Sequence, residues 1–322
     1  MKVAVIGLGV IGHVHLQVLA EMQENIVAVC DVDESKFAEF PDAKGYVDYK
    51  KMIDEIHPDV VHICTPHSLH AEMVVYALDK GVNVLCEKPL CISRDEIDRI
   101  VAAEKRSSAQ LGVVLQNRYN PANMYVKEQL GEENATGGYG TMIWKRDERY
   151  YAQAAWRGTK DMEGGGVLIN QALHTLDLMQ WLCGEPDEVV ATVHNFTLKN
   201  AIEVEDTASA LYTGKTGKGN FAFFATNGSK MDFMPEVMIY TKDGYMRVTG
   251  DYVMHNNELK HFDSYTKVYG KGCYGTGHGR LFAHFYDCVE KGEKFPIDGV
   301  EGSKVIKMIL AAYESNGEKI DV

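Results

Sequence analysis

The sequence predicts two domains: an α/β domain with a doubly wound parallel sheet over residues 1–119, and an α+β domain with an open, mostly antiparallel sheet over 120–322. Three observations carry this prediction. Short apolar runs alternate with amphipathic segments as far as residue 116. From about Asn120 that alternation gives way to a long helical pattern and then to successive strand-like runs split by turn residues. Finally, 322 residues suffice for two hydrophobic cores.

Each element has a local reason. Residues 2–7, KVAVIG, form a Val/Ile run ending in glycine, the pattern of a buried parallel strand. Residues 12–22 read as a helix and 26–30 as a strand, and the pair recurs as helix 49–56, strand 60–64, helix 70–80 and strand 82–86. Ser93 with Glu96 forms a capping box for a helix reaching about Ser107, and 111–116 is one more strand. In the second half, a helix over 121–130 precedes a glycine-rich turn at 137–140 and a long helix over 167–183. Strands are expected at 188–197, 206–213, 219–225, 236–241 and 245–249, with Lys242-Asp243-Gly244 marking a hairpin. Helices over 279–291 and 300–316 close the chain, the last packing back towards the first domain. The glycine-rich stretch 270–279 reads as a mobile loop that closes over a ligand.

Composition narrows the function. A net charge of −13 argues against a general nucleic-acid binder, which needs a basic face against phosphates. No apolar run approaches the length of a membrane helix, and glycines interrupt the only N-terminal stretch resembling a signal peptide. Seven cysteines without a C-x-x-C pair, mostly in apolar contexts, suit a reduced, cytoplasmic protein.

Gly7-Leu8-Gly9-Val10-Ile11-Gly12 is a G-x-G-x-x-G loop between a strand and a helix, placed to receive a pyrophosphate on the helix N-terminus. Asp31 follows about twenty positions later, at the end of the second strand, where a carboxylate binds ribose hydroxyls and repels a 2′-phosphate. NAD is therefore favoured over NADP, with Lys36 nearby as the one contrary sign. On the 167–183 helix, Asn170, His174 and Asp177 share a face at i, i+4 and i+7. The three glycines before that helix would let backbone approach a ligand closely. His67 and His70 have metal-like spacing but no further ligand nearby, so no metal is expected.

Thr65-Pro66 with His70, Glu87-Lys88-Pro89, Gln116-Asn117-Arg118-Tyr119 and the segment from Gly164 to Asp177 complete a set of motifs. With the glycine loop, they resemble the glucose–fructose oxidoreductase / inositol dehydrogenase (Gfo/Idh/MocA) family across most of the first 185 residues. The resemblance implies an NAD-dependent dehydrogenase acting on a secondary hydroxyl of a sugar, cyclitol or sugar derivative. Lys88 would stabilise the alkoxide, His174 would be the base, and Asn170 would orient it. Many family members carry aspartate where this chain has Asn170; an amide supplies no negative charge, for which Asp177 is expected to compensate in part.

The resemblance further places Gly7, Gly9, Val10, Ile11, Gly12, Asp31, Thr65, Pro66, His67, His70, Glu87, Lys88, Gln116, Trp156 and Arg157 at the cofactor. It places Lys88, Arg118, Tyr119, Tyr150, Asn170 and His174 at the substrate, although Tyr150-Tyr151 would equally suit a strand surface. Pro89 is expected to follow a cis bond. A homodimer or homotetramer is implied, one sheet face being covered by a second subunit. Two other functions fit the same motifs: a redox-neutral epimerase, lyase or glycosidase using bound NAD transiently, and a non-catalytic NAD-responsive regulator.

Overall fold

The computed structural model describes residues 1–131, 135–263 and 275–322. Up to Gln116 the chain runs β1 (Lys2–Ile6), α1 (Val10–Glu21), β2 (Asn25–Cys30), β3 (Lys44–Tyr46), α2 (Tyr49–Ile56), β4 (Val60–Ile63), α3 (His70–Asp79), β5 (Asn83–Cys86), α4 (Arg94–Arg106) and β6 (Leu111–Val113). It continues through α5 (Pro121–Leu130), β7 (Gly137–Ile143), α6 (Glu148–Tyr151), α7 (Lys160–Glu163) and α8 (Leu173–Cys183). Then come β8 (Glu188–His194), β9 (Thr207–Thr213), β10 (Phe221–Thr226), β11 (Glu236–Thr241), β12 (Gly244–Thr249), β13 (Tyr252–His255) and β14 (Glu258–His261). The chain closes with α9 (Gly277–Lys291), α10 (Gly299–Ser315) and β15 (Lys319–Asp321).

Two compact units result. The first holds residues 1–116 and, among the described residues, 275–303; the second holds 117–263 and 304–322. The expected boundary at 119/120 thus lies three residues from the division, but α9 joins the first unit rather than the second. Of the stretch 270–279, residues 270–274 lie outside the described residues, and from Gly277 the chain is helical.

The first unit has a six-stranded, wholly parallel sheet of order β3-β2-β1-β4-β5-β6, the doubly wound order with its crevice beside β1. Val3, Ala4, Val5, Val60, Val61, Val84 and Leu85 are buried, because helices cover both sheet faces. Asp48 caps α2 through the amides of Lys50 and Lys51. Ser93 accepts from the Glu96 amide, but the Glu96 carboxylate turns to the Ile92 amide, so the box closes one residue early.

The second unit has a nine-stranded sheet of order β14-β13-β12-β11-β7-β10-β9-β8-β15, antiparallel except for β7 with β10. The glycines read as a turn at 137–140 instead open β7, a central strand. The reason is steric: α8 crosses this strand, and a Cβ on Gly140 would lie 2.8 Å from Cγ of Met179. The helix expected over 167–183 begins with a π-helical turn, Leu168–Ala172, before continuing as α8. Such bulges gather at functional sites. Tyr150-Tyr151 lies on α6, not on a strand.

Among the described residues no helix is long and apolar enough to cross a membrane. The cysteines described are all free and buried.

Candidate active site

In the first unit the phosphate loop is built by packing. Gly7 has φ of +93°, and a Cβ there would stand 2.5 Å from the Cys64 carbonyl oxygen; a Cβ on Gly12 would strike the Gly7 carbonyl. A Cβ on Gly9 would meet nothing within 4 Å. The loop therefore opens at its middle glycine, beside exposed Val10 and half-buried Ile11, and the N-terminus of the twelve-residue α1 faces that opening. This is a cradle for a pyrophosphate. The contrast gives a prediction: Gly7→Ala lowers the melting temperature, whereas Gly9→Ala melts as wild type but loses most of the stabilisation that added NAD confers. Thermal scans with and without NAD check both.

Asp31 holds the loop from the side. Its carboxylate accepts from the amides of Leu8 at 2.7 Å and Asp33 at 3.0 Å and pairs with Lys36 at 2.9 Å. Burial raises its pKa, but the Asp33 amide, Lys36 and the Leu8 amide outweigh burial and hold the carboxyl below its usual range. It is an anion at neutral pH, as ribose recognition requires.

Lys88 lies two residues past the end of β5 and precedes a cis peptide bond to Pro89. It is half-buried between the buried residues Glu87 and Pro89. His70, expected at the cofactor, lies between two carbonyls: Nδ1 is 2.7 Å from that of Pro89 in this turn and Nε2 is 2.8 Å from that of Thr65 after β4. It clamps the segments that the sequence singled out. His67 is buried and Pro66 half-buried, and the Thr65 hydroxyl donates to Sδ of Met73. Gln116 is buried at the end of the first unit's opening segment.

In the second unit, Asn170 and His174 are half-buried, while every other residue from 165 to 180 is buried. Two polar side chains thus reach the surface together from a helix otherwise enclosed. Asn170 donates to the carboxylate of Glu163, which also accepts the Gly158 amide. The carboxyl group that an asparagine lacks is supplied one side chain further back. Glu163 is fully buried, and sequence reasoning missed it; its place immediately before the three glycines was the available signal.

Asp177 plays a different part from the one expected. It forms a bidentate pair with Arg118, Nε to Oδ2 at 2.8 Å and Nη2 to Oδ1 at 2.6 Å, with both side chains inside the unit. Arg118, placed at the substrate by the resemblance, is a core residue stacked on Trp181. Tyr119 beside it is half-buried.

Gly165 and Gly166 are needed for packing inside the unit. A Cβ on Gly165 would strike the Tyr313 hydroxyl and one on Gly166 the Glu205 carbonyl. Glu205 in turn accepts from the amides of Gly166 at 2.8 Å and Leu168 at 3.0 Å, and from the Tyr313 hydroxyl at 2.9 Å. Burial pushes its pKa up to about 7. A carboxyl with a raised folded-state pKa binds more protons folded than unfolded, so stability falls as pH rises from about 4.5 to about 7. Glu205→Gln is expected to flatten that slope in urea unfolding followed across this range.

Tyr150 is half-buried, accepts from Nε2 of Gln171 at 3.2 Å and carries the Arg157 guanidinium 4.4 Å above its ring. The same guanidinium lies 5.1 Å from the Trp156 ring. Behind them, Asn227 donates to both the Tyr151 hydroxyl and Gln171. Among the described residues no group of three His, Cys, Asp or Glu side chains is arranged to hold a metal ion.

This strand order with this loop defines a Rossmann-type dinucleotide-binding protein. The second unit narrows it: the chain belongs to the Gfo/Idh/MocA family, residues 1–115 matching the oxidoreductase family's NAD-binding Rossmann fold and 135–247 the GFO/IDH/MocA C-terminal domain.

The chain is 28% identical over 197 residues to the myo-inositol 2-dehydrogenase of Thermotoga maritima, covering 59% of this chain and 57% of that protein. It is 31% identical over 178 residues to the levoglucosan dehydrogenase of Pseudarthrobacter phenanthrenivorans, covering 53% and 45%. The matches thus span about half the length of these curated relatives. Among solved structures, the WlbA dehydrogenase of Bordetella pertussis, in complex with NADH and UDP-GlcNAcA, superposes with a TM-score of 0.85 at 25% identity, covering 100% of this chain and 98% of that one.

Proposed function

We propose that this protein is an NAD-dependent dehydrogenase acting on a secondary hydroxyl of a sugar, a cyclitol or a sugar derivative. One observation carries the reading. Lys88 stands at the carboxyl end of β5, on the same edge of the parallel sheet as the phosphate loop and two strands from it. At about 4.8 Å per strand that is about 10 Å, a separation that suits a pyrophosphate at one end and a reacting ring at the other. The named activities of the relatives, on myo-inositol and levoglucosan, support the substrate class.

When bound, NAD supplies the acceptor or donor of hydride. Gly9, the α1 N-terminus and Asp31 hold it. Lys88 donates a hydrogen bond to the substrate hydroxyl and offsets the charge that develops on its oxygen. His174 takes the hydroxyl proton, with Asn170, held by Glu163, one turn before it on the same face. Tyr150 offers an aromatic face and a hydroxyl to the sugar.

The test is to follow NADH absorbance while inositols, anhydrosugars, glycosides, sugar acids and nucleotide sugars are offered with NAD. A substrate whose turnover needs Lys88 and His174 establishes the reading. Calorimetric binding of NAD with no NADH from any compound would move the assignment to a redox-neutral cycle. Failure to bind NAD would refute both.

A second copy of the chain is proposed to cover the outer face of the nine-stranded sheet. Val190, Leu211 and Phe224 are exposed there on adjacent strands, and Leu211 pairs directly with Val190. Leu211→Asp is expected to shift light-scattering mass towards the monomer; an unchanged mass would place any oligomeric contact elsewhere.

A further inference from the structure

Beneath Lys88 the first unit buries a chain of ionisable groups from four segments. Glu87, between β5 and Lys88, accepts the Lys88 amide on Oε2 at 3.1 Å and His15 Nε2 on Oε1 at 3.0 Å. His15, on α1 just past the phosphate loop, meets Nδ1 of His62 with its own Nδ1 at 2.8 Å. His62, on β4, meets the Tyr286 hydroxyl of α9 with Nε2 at 2.8 Å. Both imidazoles are 0% exposed, and the Phe282 ring lies edge-on to each, at 4.7 and 5.1 Å. His278 Nε2 stands 3.7 Å from the same Glu87 oxygen, and the charge of the carboxylate also reaches the Cys64 and Cys86 thiols and His70.

Two ring nitrogens at 2.8 Å share a single proton, so one donates and the other accepts. Burial drives both imidazoles towards the neutral form, His62 further than His15. Burial also opposes an ionised Glu87, but the hydrogen bond from His15 and the nearby His278 ring outweigh it and keep the carboxyl well below its usual range. One proton arrangement then satisfies every link. Tyr286 donates to Nε2 of His62, His62 Nδ1–H to Nδ1 of His15, and His15 Nε2–H to Glu87.

We propose that this directed chain makes Glu87 and His15 positioning residues for Lys88, fixing an anionic carboxylate on the lysine's own amide and tying that turn to the helix behind the phosphate loop. The inference rests on the reading of Lys88 as the group that stabilises the alkoxide, and it moves Glu87 from cofactor contact to support. An apolar side chain at 87 would avoid the cost of burying a charge; the carboxylate instead places two acceptors where two donors converge.

The experiment uses the whole 322-residue chain with NAD and no sugar. Imidazole ¹⁵N spectra are expected to show His15 as the Nε2–H and His62 as the Nδ1–H tautomer, neither titrating between about pH 6 and 8. Lysines carrying ¹³C-methyl groups report the second half, with Lys88→Ala identifying the signal. Glu87→Gln, which offers one carbonyl to two donors, is expected to lower the Lys88 titration by about one pH unit or more. His15→Leu is expected to displace it as well, and His15→Gln, which returns an N–H towards residue 87, to restore most of the wild-type value.

Reversed tautomers, or a Lys88 signal unmoved by Glu87→Gln and His15→Leu, would overturn the proposal. If Glu87→Gln does not fold, the two His15 variants decide it in the same way. No readout depends on turnover, so a protein that oxidises none of the sugars offered leaves this result standing on its own.

Discussion

His174→Ala lowers the turnover number for NADH formation by about 10²–10⁴-fold, the range for loss of a positioned general base. The Kd for NAD stays within about twofold, because the residues assigned to NAD do not include His174. Lys88→Ala gives a loss of about 10²–10³-fold, as for removal of a donor to a developing oxyanion. The measurement is steady-state kinetics with the best substrate from the absorbance screen, alongside calorimetry with NAD. Either single variant retaining wild-type turnover would remove that residue from the chemistry. The same kinetics test Glu163: Glu163→Gln should reduce turnover less than His174→Ala, because it acts through Asn170.

The largest effect on stability is expected from a residue outside the chemistry. Arg118→Ala takes the bidentate partner from Asp177, whose side chain is 1% exposed. Breaking a buried pair from one side costs about 3–5 kcal/mol. Removing both partners, as in Arg118→Met with Asp177→Leu, is expected to recover most of that cost, since two apolar groups need no desolvation of charge. The protein reports this directly. Its three tryptophans are Trp144, Trp156 and Trp181, all in the second unit, so fluorescence in urea follows that unit's unfolding. A single variant as stable as wild type would mean that water reaches Asp177.

These two predictions separate what the sequence made legible from what it did not. The phosphate loop, Asp31 and the Glu87-Lys88-Pro89 turn were readable because each is a local signal: a glycine pattern at a strand end, a fixed offset, a proline. The parallel sheet was readable from alternating runs. Asp177 shows the limit. Helical spacing placed it on a face with His174, yet its partner lies 59 residues away at Arg118, and only packing brings the two together. The π-turn at 168–172 has no sequence signal of comparable strength, and β7 was hidden because glycine usually marks a turn, whereas here it makes room for Met179. The buried imidazoles were still harder to foresee. His62 and Tyr286 are separated by 224 positions, and each alone reads as an ordinary core residue.

The return of α9 to the first unit has a consequence for how the protein is made. By the time Gln116 has left the ribosome, all six strands of the parallel sheet are available, but Tyr286, Phe295 and Ile297 are not. The Phe295 amide later donates to Gln110, and Ile297 accepts the Val113 amide at the sheet's outer strand. Until then β6 is an open edge, and His15 and His62 lie uncovered. Residue 303 is translated about 190 residues later, a delay of roughly 10–40 s at ordinary elongation rates. During that interval the nascent chain exposes an unfinished parallel sheet. Synthesis slowed within the second half would therefore raise chaperone dependence and aggregation more than the same slowing within the first 116 residues.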